Sequence, residues 1–227
     1  MTYKLLNSNE GDYAIVLAAG FSTRMGTCKA ALPWGNRQTL LSYQVTQLLK
    51  VGIQPIVVLG SHNFQQQFQQ QFQQQFQQQA ELNYVQVMLN SEPSRGKTSS
   101  IRVGLAAIPA EARSLMISAV DQPRSATVYA KLLEMHHQAA APITAPVYQE
   151  RMGHPLLFSP VLLPDLMQIS EQALGLRQIV QCYYKQIQKV KFNTPEVLID
   201  LNTPERYRSQ QIAEAKLTDV DSETTAT

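Results

Sequence analysis

Strand-like and helix-like segments alternate along most of this chain of 227 residues. Short, almost wholly apolar runs alternate with longer segments that carry the apolar period of a helix, which predicts parallel strands joined by crossover helices. Strands that are apolar on both faces are typical of a sheet covered on both sides. We therefore predict an α/β fold, a three-layer α/β/α sandwich. The predicted strands are Tyr13–Leu17, Pro55–Leu59, Tyr84–Leu89, Ser114–Val120, Pro142–Ala145 and Gln188–Phe192.

Helical patterns fill the segments between and after these strands. A closing helix is predicted to begin near Thr203, with Pro204 at its first position. We predict a single domain over residues 1–213 and a disordered tail over residues 214–227, because the tail is polar and has no apolar period. The other predicted helices are Thr39–Lys50, Asn63–Glu81, Thr98–Ala107, Ala126–Ala139, Val161–Ile169 and Leu174–Cys182.

The unit Phe-Gln-Gln-Gln repeats in tandem over residues 64–79. A period of four residues places the phenylalanines along one drifting face of a helix. One interpretation is a glutamine tract that binds a partner or aggregates. The interpretation we favour is a low-complexity helix lengthened by repeat expansion.

Charge and composition narrow the range of partners. The formal net charge of +2 argues against nucleic acid or a membrane surface as partner. No apolar run approaches the roughly 20 residues of a membrane span, and the first residues lack a signal peptide's apolar stretch. Two cysteines, Cys28 and Cys182, lie far apart in sequence. We therefore predict a cytoplasmic protein with free thiols.

A glycine-containing turn follows the first predicted strand, in the sequence Leu17-Ala-Ala-Gly-Phe-Ser-Thr-Arg-Met-Gly26. Gly20 lets a ligand approach the backbone, whose N–H groups can bind phosphate. Arg24 and Lys29 follow and can neutralise phosphate charge. This turn predicts a nucleotide or polyphosphate site near the amino terminus.

A second glycine-containing segment, Ser91-Glu-Pro-Ser-Arg-Gly-Lys-Thr98, offers an alternative phosphate site. It ends in Gly-Lys-Thr between a strand and a helix, as a P-loop does, although Ser91 stands where the first P-loop glycine is required. The run Leu115–Asp121 resembles a Walker B strand. A P-loop kinase or ATPase is therefore a rival hypothesis.

Asp121 ends an apolar strand and precedes Gln122-Pro123. A carboxylate in that position is suited to hold a hard cation such as Mg²⁺ together with ligand phosphates, or it could cap the following helix. Gly153-His154-Pro155 also allows two interpretations. His154 could lie near an acceptor substrate, or the tripeptide could form a tight turn between strands.

Together these motifs resemble the nucleotidyltransferases that attach a nucleotide to the molybdenum cofactor. The Asp-Gln-Pro form favours the cytidylyltransferase branch over the guanylyltransferase branch. The resemblance implies a Rossmann-like, mostly parallel sheet of the nucleotide-diphospho-sugar transferase type. The segments that carry it are residues 17–26, Lys29 with Leu32-Pro33-Trp34, Gly96–Ile101, Asp121-Gln122-Pro123, Gly153-His154-Pro155, Gly175-Leu176-Arg177 and Asp200–Glu205.

The resemblance also implies an activity and a role for each matching residue. CMP would pass from CTP to the phosphate of molybdopterin with release of pyrophosphate, and Mg²⁺ or Mn²⁺ would be the cofactor. Arg24, Lys29 and Asp121 would be catalytic, and His154 would line the acceptor side. Asp121 would ligate the metal, with Asp200 or Asn202 as a second ligand. The nucleotide-binding residues implied are Leu17, Ala18, Ala19, Gly20, Arg24, Lys29, Ser99 and Ser100.

Two departures from the family pattern leave alternatives open. Glu171 is displaced relative to the acidic residues that usually precede the Gly-x-Arg element, and Asn202 replaces the second acid of the closing motif. The alternatives are guanylyl transfer, nucleotidyl transfer to a sugar phosphate, and a non-catalytic nucleotide-binding or cofactor-delivery protein. A molybdenum hydroxylase would be the partner of a delivery protein.

Overall fold

A mostly parallel sheet of eight strands forms the centre of the computed structural model, which describes residues 10–20, 28–35, 38–60 and 85–211. A separate antiparallel pair, β2 and β3, lies outside this sheet. The strands are β1 (Asp12–Ala18), β2 (Pro33–Trp34), β3 (Gln38–Thr39), β4 (Ile53–Gly60), β5 (Gln86–Asn90), β6 (Ser114–Ala119), β7 (Ile143–Tyr148), β8 (Arg151–Met152), β9 (Leu156–Phe158) and β10 (Ile187–Lys191).

The strand order is β10-β7-β9-β6-β1-β4-β5, and β8 pairs with β7. β1 is parallel to β4 and to β6, β5 is parallel to β4, and β10 is parallel to β7. β9 is antiparallel to both β6 and β7, so those two strands point the same way. The predicted parallel strands are confirmed. β9 was not predicted, because three residues are too few for a strand period.

Helices flank the sheet at nearly the predicted positions. The segment predicted as one helix over Val161–Ile169 is instead a 3₁₀ turn, Pro160–Leu162, followed by a short helix. The closing helix does begin at Pro204. The helices are α1 (Leu40–Leu49), α2 (Lys97–Leu105), α3 (Ala126–Ala139), α4 (Leu163–Met167), α5 (Leu176–Cys182) and α6 (204–211).

Two apolar clusters on opposite faces of the sheet make the three layers. Side chains of a strand point alternately to opposite faces. Val16 accordingly packs with α1 and α3, whereas Leu17 packs with α2, α4 and α5. Both residues are buried. Because both faces of the sheet are covered, a ligand can reach it only at the carboxyl ends of the strands, where the crossover connections begin.

Some sequence predictions fall outside the described residues. These are the Phe-Gln-rich helix over residues 64–79, the tail over residues 214–227 and Arg24. The single domain over residues 1–213 stays a prediction. Within the described ranges, no helix is both long and apolar enough to cross a bilayer.

Candidate active site

A cavity of about 390 Å³ lies at the carboxyl ends of β1 and β6. These two strands are neighbours and parallel, so the loops that follow them meet at one edge of the sheet. The backbone confirms this meeting, because the Val120 N–H donates to the Leu17 carbonyl at 3.0 Å. The residues lining the cavity are Leu17, Ala18, Ala19, Gly20, Lys29, Ala30, Pro93, Gly96, Lys97, Ser100, Ala119, Val120, Asp121, Gln122, Asp200 and Asn202.

Lys29 links two of the predicted metal-binding residues. Its Nζ donates to Asp121 Oδ2 at 2.7 Å and to Asn202 Oδ1 at 2.8 Å. The Lys29 and Asp121 side chains are only 14% and 17% exposed, so water screens their attraction little. The ammonium therefore lies where oxygen ligands from distant parts of the chain converge.

Asp200 adds a second carboxylate to this end of the cavity. Its Oδ1 is buried and has no hydrogen-bond partner in the described part of the chain. Burial, followed by the negative charge of Asp121, raises the pKa of Asp200, and the positive charge of Lys29 opposes this effect. An unsatisfied carboxylate oxygen beside a second carboxylate favours a bound cation.

Backbone hydrogen bonds place Asp121 in this group. β6 ends at Ala119, and the Gln122 N–H donates back to the Ala119 carbonyl at 2.9 Å. The Asp121 carbonyl in turn accepts from the Leu201 N–H at 2.9 Å. The interpretation of Asp121 as a helix cap is wrong, because α3 begins at Ala126 and its N-cap is Ser125.

The end of β1 and the residues directly after it form another wall of the cavity. Leu17, Ala18, Ala19 and Gly20 all line it. Gly20 is exposed, and a Cβ added there would meet no atom of the described residues within 4 Å. The described residues therefore leave the backbone at Gly20 accessible to a ligand.

The segment between β5 and α2 also lines the cavity, and hydrogen bonds from Asn90 hold the start of α2 in place. The Asn90 Nδ2 donates to Ser99 Oγ at 2.8 Å and to Ser100 Oγ at 2.9 Å. Ser100 lines the cavity, whereas Ser99 does not and donates to the Gly96 carbonyl at 2.8 Å. Of the two predicted serines, only Ser100 thus faces the space that a ligand could fill.

Glu171 binds the amino end of α2. Its Oε1 accepts from the Thr98 N–H at 2.7 Å, and a Cβ on Gly96 would lie 2.5 Å from its carboxylate. A P-loop needs this helix end for phosphate. Because a carboxylate of the chain already occupies it, the geometry disfavours the P-loop hypothesis.

His154 lies in a bend between β8 and β9. The residue is exposed to solvent and does not line the cavity. Desolvation by the protein on its other sides, followed by the positive charges of Lys97 and Arg124, lowers the pKa of His154 below its usual value. The imidazole is therefore neutral at pH 7.

Sequence reasoning missed Arg124, whose side chain is 1% exposed. The guanidinium donates to the carbonyls of Pro123, His154, Val197 and Ile199. A charged residue after a proline normally indicates surface, so the sequence carries no signal for this role. Lys97 and Gln122 were also missed as lining residues.

The profile of the MobA-like NTP transferase domain matches residues 14–190. The chain belongs to this family. The MobA-like domain is thus a nucleotidyltransferase, and the P-loop alternative is wrong. The glycine turn after β1, Lys29 and Asp121 all fall within the matched range.

Relatives of the MobA-like domain include molybdenum cofactor cytidylyltransferase of Escherichia coli, which is 23% identical over 198 residues. This match covers 85% of this chain and 92% of the relative. Rv0371c from Mycobacterium tuberculosis has a similar crystal structure, with a TM-score of 0.71 at 23% identity, over 88% and 97% of the two chains. A complex of Rv0371c with manganese gives a TM-score of 0.67 at 20% identity, also over 88% and 97%.

Proposed function

We propose that this protein transfers CMP from CTP to the terminal phosphate of molybdopterin and releases pyrophosphate. The observation that carries the proposal is the grouping of Asp121, Asp200, Asn202 and Lys29 beside the small-residue turn after β1. The choice of CTP and of molybdopterin draws on the resemblance to the cytidylyltransferase branch and on the name of the Escherichia coli relative.

The oxygen atoms of Asp121, Asp200 and Asn202 suit Mg²⁺ or Mn²⁺. A cation held by carboxylates and ligand phosphates would neutralise charge on the triphosphate. The orphaned Asp200 Oδ1 supports this set of ligands, and a structural neighbour was solved with manganese. Asn202 contributes an oxygen without a charge, so the two aspartates would bear the electrostatic part of binding.

Lys29 and Arg24 would bind the phosphates of the nucleotide. Lys29 already lies at the cavity wall and would exchange its contacts with Asp121 and Asn202 for phosphate oxygens. Ammonium and guanidinium groups stabilise charge that moves from the α-phosphate to leaving pyrophosphate. Arg24 follows the turn after β1 in sequence, and its role rests on the family motif.

The acceptor brings its own nucleophile. A phosphate monoester has a second pKa of about 6, so its oxygen is already ionised near neutral pH and needs no strong general base. Catalysis then consists of positioning and charge stabilisation. His154 would line the acceptor side as a neutral imidazole. A cytoplasmic location and delivery of the product to a molybdenum hydroxylase are part of this proposal.

The experiment measures pyrophosphate release from each of the four NTPs with molybdopterin, with a sugar phosphate, and with no acceptor. We expect turnover with CTP and molybdopterin in the presence of Mg²⁺ or Mn²⁺. Turnover with GTP or with the sugar phosphate instead would replace the proposed substrates. Tight CTP binding without any turnover would indicate a non-catalytic binding protein.

Asp121→Asn tests the metal ligand within the same assay. We expect a loss of kcat of at least about a thousandfold with the fold intact, because the cation loses a charged ligand. Asp165→Asn is the matched control, since that carboxylate accepts from the Tyr183 hydroxyl and does not line the cavity. Wild-type turnover by Asp121→Asn would refute the assigned role.

A further inference from the structure

Arg124 is among the largest fully buried side chains of the described residues. Its Nε donates to the His154 carbonyl at 2.9 Å and its Nη1 to the Pro123 carbonyl at 2.7 Å. Nη2 donates to the carbonyls of Val197 at 3.0 Å and Ile199 at 2.9 Å. One guanidinium therefore joins three separate segments of the chain.

Each of these segments contains a proposed site residue or lies next to one in sequence. Pro123 belongs to the loop that carries Asp121, and Ile199 directly precedes Asp200. The segments are also joined to one another, because Val197 O accepts from the His154 N–H at 3.0 Å and Asp121 O accepts from the Leu201 N–H at 2.9 Å. Arg124 is thus the side chain around which the two carboxylates of the site are assembled.

The hydrogen bonds of this guanidinium end on neutral carbonyls, not on a carboxylate. Burial lowers the pKa of Arg124 to about 10, which still leaves it charged at neutral pH. Electrostatic interactions with four nearby residues partly raise the pKa of Arg124 again. These residues are Tyr129, Glu196, Asp200 and Asp121. A buried charge with no hydrogen-bonded counterion is costly, and the guanidinium offsets this cost by joining carbonyls of three segments with its N–H donors.

The nucleotide side of the cavity is built independently of Arg124. Leu17 and Ala18 end β1, Ala19 and Gly20 follow it directly, and Ser100 is held by Asn90. None of the four acceptor carbonyls of Arg124 belongs to these segments. Changes at Arg124 should therefore affect the carboxylates before they affect nucleotide contacts.

We propose that Arg124 is a positioning residue that fixes Asp121 and Asp200 relative to each other for cation binding. The inference deepens the proposed function and rests on its metal site. Lysine is a poor substitute, because one ammonium cannot reproduce the planar fork that reaches carbonyls on three segments.

The test compares Arg124→Lys with wild-type protein by Mn²⁺ titration in electron paramagnetic resonance, without nucleotide. We expect Mn²⁺ binding at least about tenfold weaker and kcat at least about tenfold lower. CTP binding in EDTA should stay within about threefold of wild type. Arg113→Lys is the matched control, since Arg113 pairs with Asp12 at the opposite end of β1 and β6.

Arg124→Ala adds a rescue experiment. Guanidinium at tens of millimolar should restore Mn²⁺ binding in part, whereas ammonium at equal concentration should not, because only guanidinium provides the fork. If Arg124→Ala does not fold, Arg124→Lys alone decides. A folded Arg124→Ala variant that guanidinium fails to rescue would overturn the proposal.

The remaining outcomes are also decisive. Wild-type Mn²⁺ affinity in Arg124→Lys, or an equal loss of Mn²⁺ and metal-free CTP binding, would overturn the positioning role, and so would a wild-type protein that binds no Mn²⁺. If wild-type protein binds Mn²⁺ but turns over no substrate, the proposed function fails while the titration still decides the role of Arg124.

Discussion

The Nζ of Lys29 donates to Asp121 Oδ2 at 2.7 Å, across 92 positions of sequence. The same ammonium donates to Asn202 Oδ1, so a positive charge of the chain already occupies oxygen atoms that we assign to a divalent cation. The lysine ammonium therefore competes with a cation for the negative charge of Asp121. A nucleotide that draws Lys29 to its phosphates would free the ligands for the metal.

Lys29→Met should separate metal binding from nucleotide binding. In nucleotide-free protein we expect Mn²⁺ to bind about fivefold more tightly, since the competing ammonium is gone, and CTP to bind at least about tenfold more weakly. Mn²⁺ titration and calorimetry with CTP measure the two effects. Lys191→Met is the control, because Lys191 is exposed and pairs only with Glu150 among the described acidic residues. Unchanged or weaker Mn²⁺ binding would contradict the competition.

Gly20→Ala should weaken nucleotide binding, whereas Gly153→Ala should lower the stability of the fold. An added Cβ at Gly20 meets no atom of the described residues, so the free energy of unfolding should change by less than about 0.5 kcal/mol while the KM for CTP rises about tenfold. At Gly153 the Cβ would collide with the Val197 carbonyl oxygen. Backbone must move there, at a cost of about 2 kcal/mol or more. Urea unfolding and steady-state kinetics distinguish the two, and an unchanged KM in Gly20→Ala would argue against a nucleotide at this turn.

Glu171→Ala should destabilise the start of α2. The Thr98 N–H would lose its acceptor and the helix its negative charge, which together lower the free energy of unfolding by about 1 kcal/mol. Glu171→Gln keeps an acceptor oxygen and should lose less. Glu92→Ala is the control, as Glu92 pairs with Arg95 on the exposed surface. Urea midpoints equal in Glu171→Ala and Glu92→Ala would show that the contact contributes nothing.

His136→Asn should remove one source of acid sensitivity. Burial, then the charge of His137, lowers the pKa of His136 to about 4, against about 6.5 in the unfolded chain. Between pH of about 6.5 and about 4, this histidine is protonated in the unfolded chain but not in the folded protein. The free energy of unfolding therefore falls as the pH is lowered through this range. From pH 7.5 to 5.5 we expect wild type to lose about 1 kcal/mol through this residue.

Asparagine does not titrate there and can still contact the Thr144 hydroxyl, which lies 2.8 Å from His136 Nδ1. Urea unfolding at both pH values measures the difference. Equal losses of stability in the variant and in wild type would rule out His136 as the group responsible.

Local patterns were sufficient to predict most secondary structure. α3 was predicted at its observed bounds, and the predicted strands pair as a mostly parallel sheet. β9 escaped prediction because its three residues become a strand only by pairing with β6 and β7. The helix predicted over Val161–Ile169 was too long, since it begins as a 3₁₀ turn.

The sequence by itself determined that Asp121 and the turn after β1 meet. Parallel strands must bring their carboxyl ends to one edge, and the motif residues follow those ends. Only the tertiary structure decided what supports them. The contacts of Arg124 with Val197 and of Glu171 with Thr98 each span 73 positions. Such contacts depend on how loops pack against each other, which no local period or propensity encodes.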